Sequence, residues 1–263
     1  MRNILFILSA LLIFISISCE KKSEWIKGDV SSYTDTVWNV SEKFGEVIKD
    51  NISSVTKVIF NEDGNVTEII EYDSEGDIKE KTIQKYDGKK LTDKFCYDEE
   101  GEQTFHFEYF FEKDKLIKLI STCTMSSPWV TTEYFYYSKS NPDRLDSITE
   151  ISEQGKDLTT FKYLDNNNSY HEYVKFWTGN SMERIYYFDK DKRLIKEVFD
   201  GTTTYTYNKD GFLETMKNSK GETYEYEYEC DSKGSVIKVI TYITTKTEMK
   251  KAESMVTRYL DYK

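Results

Sequence analysis

Histidine and cysteine are scarce in this chain, which has 2 His and 4 Cys among 263 residues. The chain has few imidazoles and no cysteine pair at ligand spacing. It therefore offers few candidate residues for a catalytic zinc site or a Ser-His-Asp triad. The two histidines, His106 and His171, alternate with aromatic residues, and we expect both on the surface of strands. No nucleophile elbow, phosphate-binding glycine loop or dinucleotide fingerprint occurs either. We therefore assign no catalytic residue, no metal and no cofactor.

Positive charge is also in short supply. The chain has 36 Lys and Arg against 47 Asp and Glu, which gives a net charge of −11. Nucleic-acid binding needs clustered Lys and Arg that neutralise phosphates, and the basic residues here alternate with acids instead. The sequence therefore excludes nucleic acid as a partner.

Long apolar runs are absent except for one at the N-terminus. Arg2 precedes an almost wholly apolar stretch from Ile4 to Ile17, and the chain turns polar directly after Cys19. The stretch has the length of a signal-peptide core, whereas a spanning helix needs about 20 apolar residues. The segment Ser16-Ile17-Ser18-Cys19 resembles a bacterial lipobox, in which the cysteine thiol is acylated and becomes the new N-terminus.

The lipobox resemblance implies a signal peptide at 1–18 and a lipidated tether at 19–27. Acyl chains contribute about 0.8 kcal/mol per buried CH₂, so a multiply acylated Cys19 is a firm membrane anchor. The protein is then extracytoplasmic in the bacterial envelope, at the periplasmic side or the cell surface. The alternatives are an ordinary secretory signal with an incidental cysteine, or an uncleaved anchor.

Three further cysteines follow, Cys96, Cys123 and Cys230. An odd number outside the cytoplasm cannot pair completely within one chain. We expect these cysteines to be mostly buried in strands, where they act as small hydrophobic residues. The alternative is that two of them form one disulfide.

Aromatic residues are abundant, and they recur in a short repeat. The 21 Tyr and 15 Phe exclude a disordered chain. Five segments place an aromatic residue or cysteine, then Asp or Asn, two polar residues and glycine. They are Phe60–Gly64, Tyr72–Gly76, Tyr97–Gly101, Tyr207–Gly211 and Cys230–Gly234. Asp or Asn opens a turn through its side chain, and glycine accepts the left-handed conformation that closes the hairpin.

Around these turns the sequence alternates with period two, as half-buried strands do. In Thr223–Glu229 the tyrosines share one face and the glutamates share the other. The predicted fold is all-β, an antiparallel hairpin meander of roughly 16 to 18 strands in one domain, 28–263. The predicted turn glycines are Gly64, Gly76, Gly101, Gly211, Gly221 and Gly234. Two regions are less regular: Ser41–Lys49 fits a short helix or a hairpin tip, and 124–143 fits a longer loop.

The repeat units resemble the YD (Rhs-type) repeats of bacterial secreted and surface proteins. They are also similar to small repeat lipoproteins of Bacteroidetes and spirochaetes. The resemblance covers most of 55–110 and 185–243 and is weak at 111–184. It implies a long curling antiparallel sheet and carries over no catalytic residue.

The aromatic residues are too many for an open, flat sheet. Each buries about 150–250 Å², whereas soluble proteins rarely expose more than a few hundred Å² of contiguous apolar surface. We expect a curled sheet, an open barrel or a sandwich, in which these residues form the core or line a groove.

The expected function is a non-enzymatic binding, adhesion or structural module held at the membrane. One alternative is a carrier for a lipid, glycan or peptide on the aromatic face. The other is a hydrolase that uses carboxylates in turns. Those carboxylates are Glu62/Asp63, Asp98/Glu99/Glu100 and Asp189/Asp191.

Overall fold

The computed structural model describes residues 25–164 and 168–263. The predicted signal peptide and Cys19 lie outside these residues. The described chain folds into strands joined by turns, and it contains no helix. Accordingly, none of the described residues forms a helix long and apolar enough to cross a bilayer.

Eighteen strands account for most of the described residues. The first nine are β1 Val30–Lys43, β2 Glu46–Phe60, β3 Val66–Tyr72, β4 Ile78–Asp87, β5 Lys90–Tyr97, β6 Gln103–Glu112, β7 Lys115–Cys123, β8 Trp129–Tyr137 and β9 Leu145–Ser152. The second nine are β10 Gly155–Leu164, β11 Ser169–Lys175, β12 Ser181–Phe188, β13 Leu194–Val198, β14 Thr202–Tyr207, β15 Leu213–Lys217, β16 Thr223–Cys230, β17 Val236–Thr244 and β18 Lys251–Tyr262.

The strands form one closed antiparallel ring. Each strand pairs with its neighbours in sequence, and β1 also pairs with β18 from Val30↔Tyr262 to Asn39↔Ser254. The predicted all-β antiparallel meander is confirmed, and of the expected architectures the sheet adopts a barrel that is closed. Closure removes the free edges at which an open sheet pairs with other chains.

The seam between β1 and β18 is held on both faces of the sheet. On one face Arg258 donates two hydrogen bonds of 2.7 Å to the carboxylate of Asp35. On the other face the indole N–H of Trp38 donates to the hydroxyl of Thr257 at 2.9 Å. Because these partners lie more than 200 residues apart in sequence, no local sequence pattern predicts that β1 and β18 pair.

We call the end of the barrel where β1 begins the near end, and the end with the β1–β2 tip the far end. At both ends, seven described turns share one construction that matches the predicted repeat. In the example at Asp73, the side chain accepts backbone N–H bonds from Glu75 at 2.8 Å and Asp77 at 3.0 Å. These bonds, that of Asp77 first, lower the pKa of Asp73. Gly76 closes the turn with φ 94°, a value that favours glycine.

A tyrosine–leucine contact repeated at the near end connects consecutive turns. The Tyr207 hydroxyl, just before one turn, donates at 2.8 Å to the carbonyl of Leu194, just after the previous turn. Arg193, which precedes that leucine, lies 4.8 Å above the Tyr207 ring. The same hydroxyl-to-carbonyl bond recurs in the pairs Tyr137–Leu116, Tyr163–Leu145 and Tyr228–Leu213. The bond gives a structural role to the tyrosine and the leucine of the repeat.

Two irregular regions are resolved by the structure. Ser41–Lys49 is a hairpin tip, in which Phe44 and Gly45 both have positive φ, as two-residue hairpin loops require. The expected longer loop at 124–143 is wrong, because β8 runs through its middle between two turns. Pro128 and Pro142 interrupt only those turns, and the intervening strand pairs on both sides.

Candidate functional site

The N-terminal segment shows which face of the sheet points inward. The ring of Trp25 packs edge-on against Phe212 and Tyr228, at 6.2 and 5.9 Å. Its neighbour Ile26 lies in a buried cluster with Val58 on β2. Strands β16 and β2 are four places apart, about 19 Å along the sheet, so consecutive residues meet both strands only across the concave side. Tyr228 and Val58 therefore face the interior.

The outward face carries many charged residues. Ion pairs join neighbouring strands on this face, such as Lys81–Glu68 at 2.6 Å and Lys238–Glu229 at 3.5 Å. A barrel surface in contact with lipid presents an apolar band, and a central charge there costs about 2–4 kcal/mol. The outward face is therefore suited to water.

The interior is wide and accessible to solvent. Barrels of 16 to 18 strands leave an aqueous channel, and the substantial contacts between described strands are all between neighbours in the ring. The carboxylates Glu71, Glu80 and Glu150 point inward and are nevertheless exposed to solvent. The interior is thus an accessible surface and differs from a packed core.

Tyrosines line one arc of this interior. Tyr163, Tyr170 and Tyr186 lie directly opposite one another on β10, β11 and β12. Their ring centroids are 5.8 and 4.9 Å apart. Burial, followed by the charge of Glu172, raises the pKa of Tyr186 to about 12, so its phenol stays neutral. The arc continues through Tyr205 on β14 and through Tyr224, Tyr226 and Tyr228 on β16.

A row of three carboxylates crosses the part of the inner wall next to the tyrosine arc, on β8, β9 and β10. Glu133 on β8 faces Glu150 on β9, and Glu150 faces Asp157 on β10. Burial and then the charge of Glu150 raise the pKa of Glu133 to about 7. Burial and then the charge of Asp157 raise that of Glu150. No sequence motif marks this row, because it depends on the register between three strands.

A cavity of about 450 Å³ opens at the near end of the tyrosine arc. Its aromatic wall includes Tyr170 and Phe188, whose rings are nearly parallel with centroids 5.8 Å apart. The guanidinium of Arg144 lies 4.9 Å above the ring of Tyr163 at its edge. The complete lining is Asn141, Asp143, Arg144, Tyr163, Tyr170, Phe188 and Lys192.

The two ends of the barrel differ in their turns. Large apolar side chains are exposed in far-end turns, with Phe44 fully exposed at one tip and Met249 90% exposed in another. Met125, Trp177 and Phe199 add to this far-end set. The near-end turns within the described ranges carry no exposed large apolar side chain.

The predicted turn glycines all have positive φ, between 78° and 94°. They are Gly64, Gly76, Gly101, Gly211, Gly221 and Gly234. The predicted turn carboxylates lie on the rims, where Asp98 and Asp189 accept backbone N–H groups of their own turns. The structure therefore does not bring these carboxylates together into a catalytic pair.

The three described cysteines and the two histidines lie on strands of the barrel. Cys96, Cys123 and Cys230 are free thiols. Cys96 and Cys123 are buried as expected, whereas Cys230 is exposed. On the outward face, His106 bonds Asp93 at 2.9 Å and His171 bonds Glu183 at 2.8 Å. Within 25–164 and 168–263, no group of three or more His, Cys, Asp or Glu is placed to hold a metal ion.

Solved structures similar to this chain exist, whereas sequence comparisons give no match. Neither a protein-family model nor a curated protein sequence matches the chain. A porin-like protein from Bacteroides uniformis aligns with a TM-score of 0.49 at 14% identity, covering 90% of this chain and 98% of that chain. A porin-like protein from Bacteroides vulgatus aligns with a TM-score of 0.40 at 11% identity, covering 89% and 98% respectively.

Proposed function

We propose that this chain is a non-enzymatic, lipid-anchored binding module of the bacterial envelope, which holds its ligand inside the barrel. The observation that carries the proposal is the closure of the sheet around its tyrosine face. The tyrosines are only half-buried, so their rings are available to a ligand, whereas several of their hydroxyls already donate to Leu145, Glu172, Glu197 and Leu213 within the barrel. Such a surface favours a polar ligand, such as a glycan or peptide, over a purely apolar lipid.

The anchor sets the orientation of the barrel. Cys19 precedes Trp25 by six residues, a span of at most about 20 Å when fully extended. Trp25 packs at the near end, so an acylated Cys19 holds that end close to the membrane. The far end, with its exposed apolar tips, then points away from the lipid surface and towards partners.

Native mass spectrometry of the protein isolated from its own envelope tests the binding role. We expect a bound molecule on the wild type and less of it on Tyr226→Ala, which removes one ring from the inner wall. Glu227→Ala is the matched control, because it changes the next residue of the same strand on the outward face. Binding in the interior would be contradicted if the wild type showed only the mass of the protein without a bound molecule. It would also be contradicted if both variants lost the bound molecule to the same extent.

Metabolic labelling tests the anchor separately. Labelled palmitate should enter the wild type and not Cys19→Ala, because the thiol is the acylated group. Equal labelling of the two proteins would refute lipidation at this residue and leave the binding role standing.

A second candidate function rests on Glu133 and Glu150. A pKa of about 7 on one carboxyl beside a second carboxyl is typical of an acid–base pair in glycoside hydrolases. This candidate moves the hydrolase alternative from the turns to the interior. It requires that the wild type release reducing sugar from envelope glycans and that Glu133→Gln release none. Equal release by the two proteins would exclude this pair.

A further inference from the structure

One near-end turn departs from the repeat in a way that costs energy. In six turns of the shared construction the fourth residue is glycine, but in the turn that begins at Asp189 it is Lys192, with φ 64°. The backbone bonds of this turn are the usual ones, including Lys192 N–H to the Asp189 carbonyl at 3.1 Å. A lysine in this conformation is strained relative to glycine. The turn thus retains a side chain that its backbone does not favour.

Lys192 lines the cavity of about 450 Å³ at the near end, and its Nζ donates to Asn168 Oδ1 at 3.5 Å. The loop Ser138–Arg144 borders the same cavity and is another departure from the repeat, since it is longer than the five-residue turns. Two turns that differ from the shared construction therefore border one cavity, although other turns, such as those at 44–45 and 88–89, also lack it.

The chemistry of the lining defines a class of ligand. Tyr163, Tyr170 and Phe188 form an aromatic wall, whose ring faces carry partial negative charge and attract the C–H groups of a sugar ring. Among the described lining residues, Lys192 and Arg144 are positively charged and Asp143 is negatively charged. Amide and carboxylate oxygens of Asn141 and Asp143 can accept bonds from hydroxyl groups. The volume lies within the usual range for small-ligand sites.

We infer that this cavity binds a sugar ring that carries a carboxylate, as in a uronic-acid glycan, with the carboxylate on Lys192 and Arg144 and the ring on the aromatic wall. The inference rests on the proposed function and deepens it by naming the class of ligand.

Titration calorimetry of the full-length protein with trigalacturonate tests this inference. Maltotriose serves as the neutral comparison, and Lys192→Gly is the main variant. Glycine fits the φ of this position, which offsets the loss of the side-chain contacts of Lys192, including the one to Asn168, so the variant should melt at a temperature close to that of the wild type. It should bind trigalacturonate at least tenfold more weakly, about the loss of one charge-assisted hydrogen bond. Lys190→Gly is the matched control, because it removes the same charge from the same turn without touching the cavity.

The results separate this inference from the broader proposal. Binding of trigalacturonate that weakens with salt and with Lys192→Gly, but not with Lys190→Gly, supports the site. Equal binding of maltotriose, an unchanged affinity in Lys192→Gly, or no binding of trigalacturonate overturns it. If the wild type then still carries a ligand that Tyr226→Ala loses, the inference fails while the binding role survives.

Discussion

Replacing Glu133 by glutamine should stabilise the barrel in alkaline solution and not in acid. The carboxyl lies on the inner wall opposite Glu150, and burial followed by that neighbouring charge raises its pKa from 4.5 to about 7. Between these two values the folded protein holds a proton that the unfolded chain releases, so stability falls as the pH rises. The full difference corresponds to a penalty on the order of 3 kcal/mol above pH 7. Glutamine keeps the shape of the side chain and carries no charge at any pH.

Urea unfolding followed by tryptophan fluorescence measures this effect. At about pH 8.5 we expect Glu133→Gln to unfold at higher urea, and at about pH 5 we expect the two midpoints to be nearly equal. Glu227→Gln, on the outward face of β16, is the control and should change little at either pH. The reasoning is refuted if Glu133→Gln destabilises the protein at the higher pH, or if its effect is the same at both.

Two further predictions concern the contacts that close and connect the barrel. Asp35→Asn leaves the guanidinium of Arg258 buried without its counter-charge and should cost about 3–5 kcal/mol in urea unfolding. Adding Arg258→Met should recover most of that loss, and a single variant within 1 kcal/mol of the wild type would contradict this role. Tyr207→Phe removes the hydroxyl that bonds Leu194 and should cost about 1–2 kcal/mol. Tyr226→Phe, which faces the same interior, is its comparison, and an equal loss would argue against the tyrosine–leucine contact.

The local part of this fold could be predicted because its signals are local. Asp73 and Gly76 lie three residues apart, and the side-chain bond and the left-handed glycine that define their turn need no distant partner. The alternation in Thr223–Glu229 likewise predicts two faces before any neighbouring strand is known. The same information does not decide which face is inside a ring or whether a ring exists.

Closure and the candidate sites depend on contacts between distant residues. Asp35 and Arg258 are 223 residues apart, and nothing near either one predicts the other. Glu133 meets Glu150 only through the register of β8 on β9, a region where the repeat is weak and a loop was expected. Lys192 is different, because its departure from glycine can be seen in the sequence once the turns are aligned. That departure was the available signal for the near-end cavity.

In a closed ring of strands any strand can come first in the chain, so the end of the barrel that carries the N-terminal anchor can be changed by circular permutation. The chain ends of the barrel meet at the near end, where the Lys263 N–H donates to the Asp29 carbonyl at 2.9 Å. A circular permutant that joins these ends and opens the chain at Phe44–Gly45 keeps every strand pairing. Its new N-terminus, however, lies at the far end. An acyl anchor placed there would present the same barrel upside down, with the near-end cavity facing outward and the apolar tips towards the membrane.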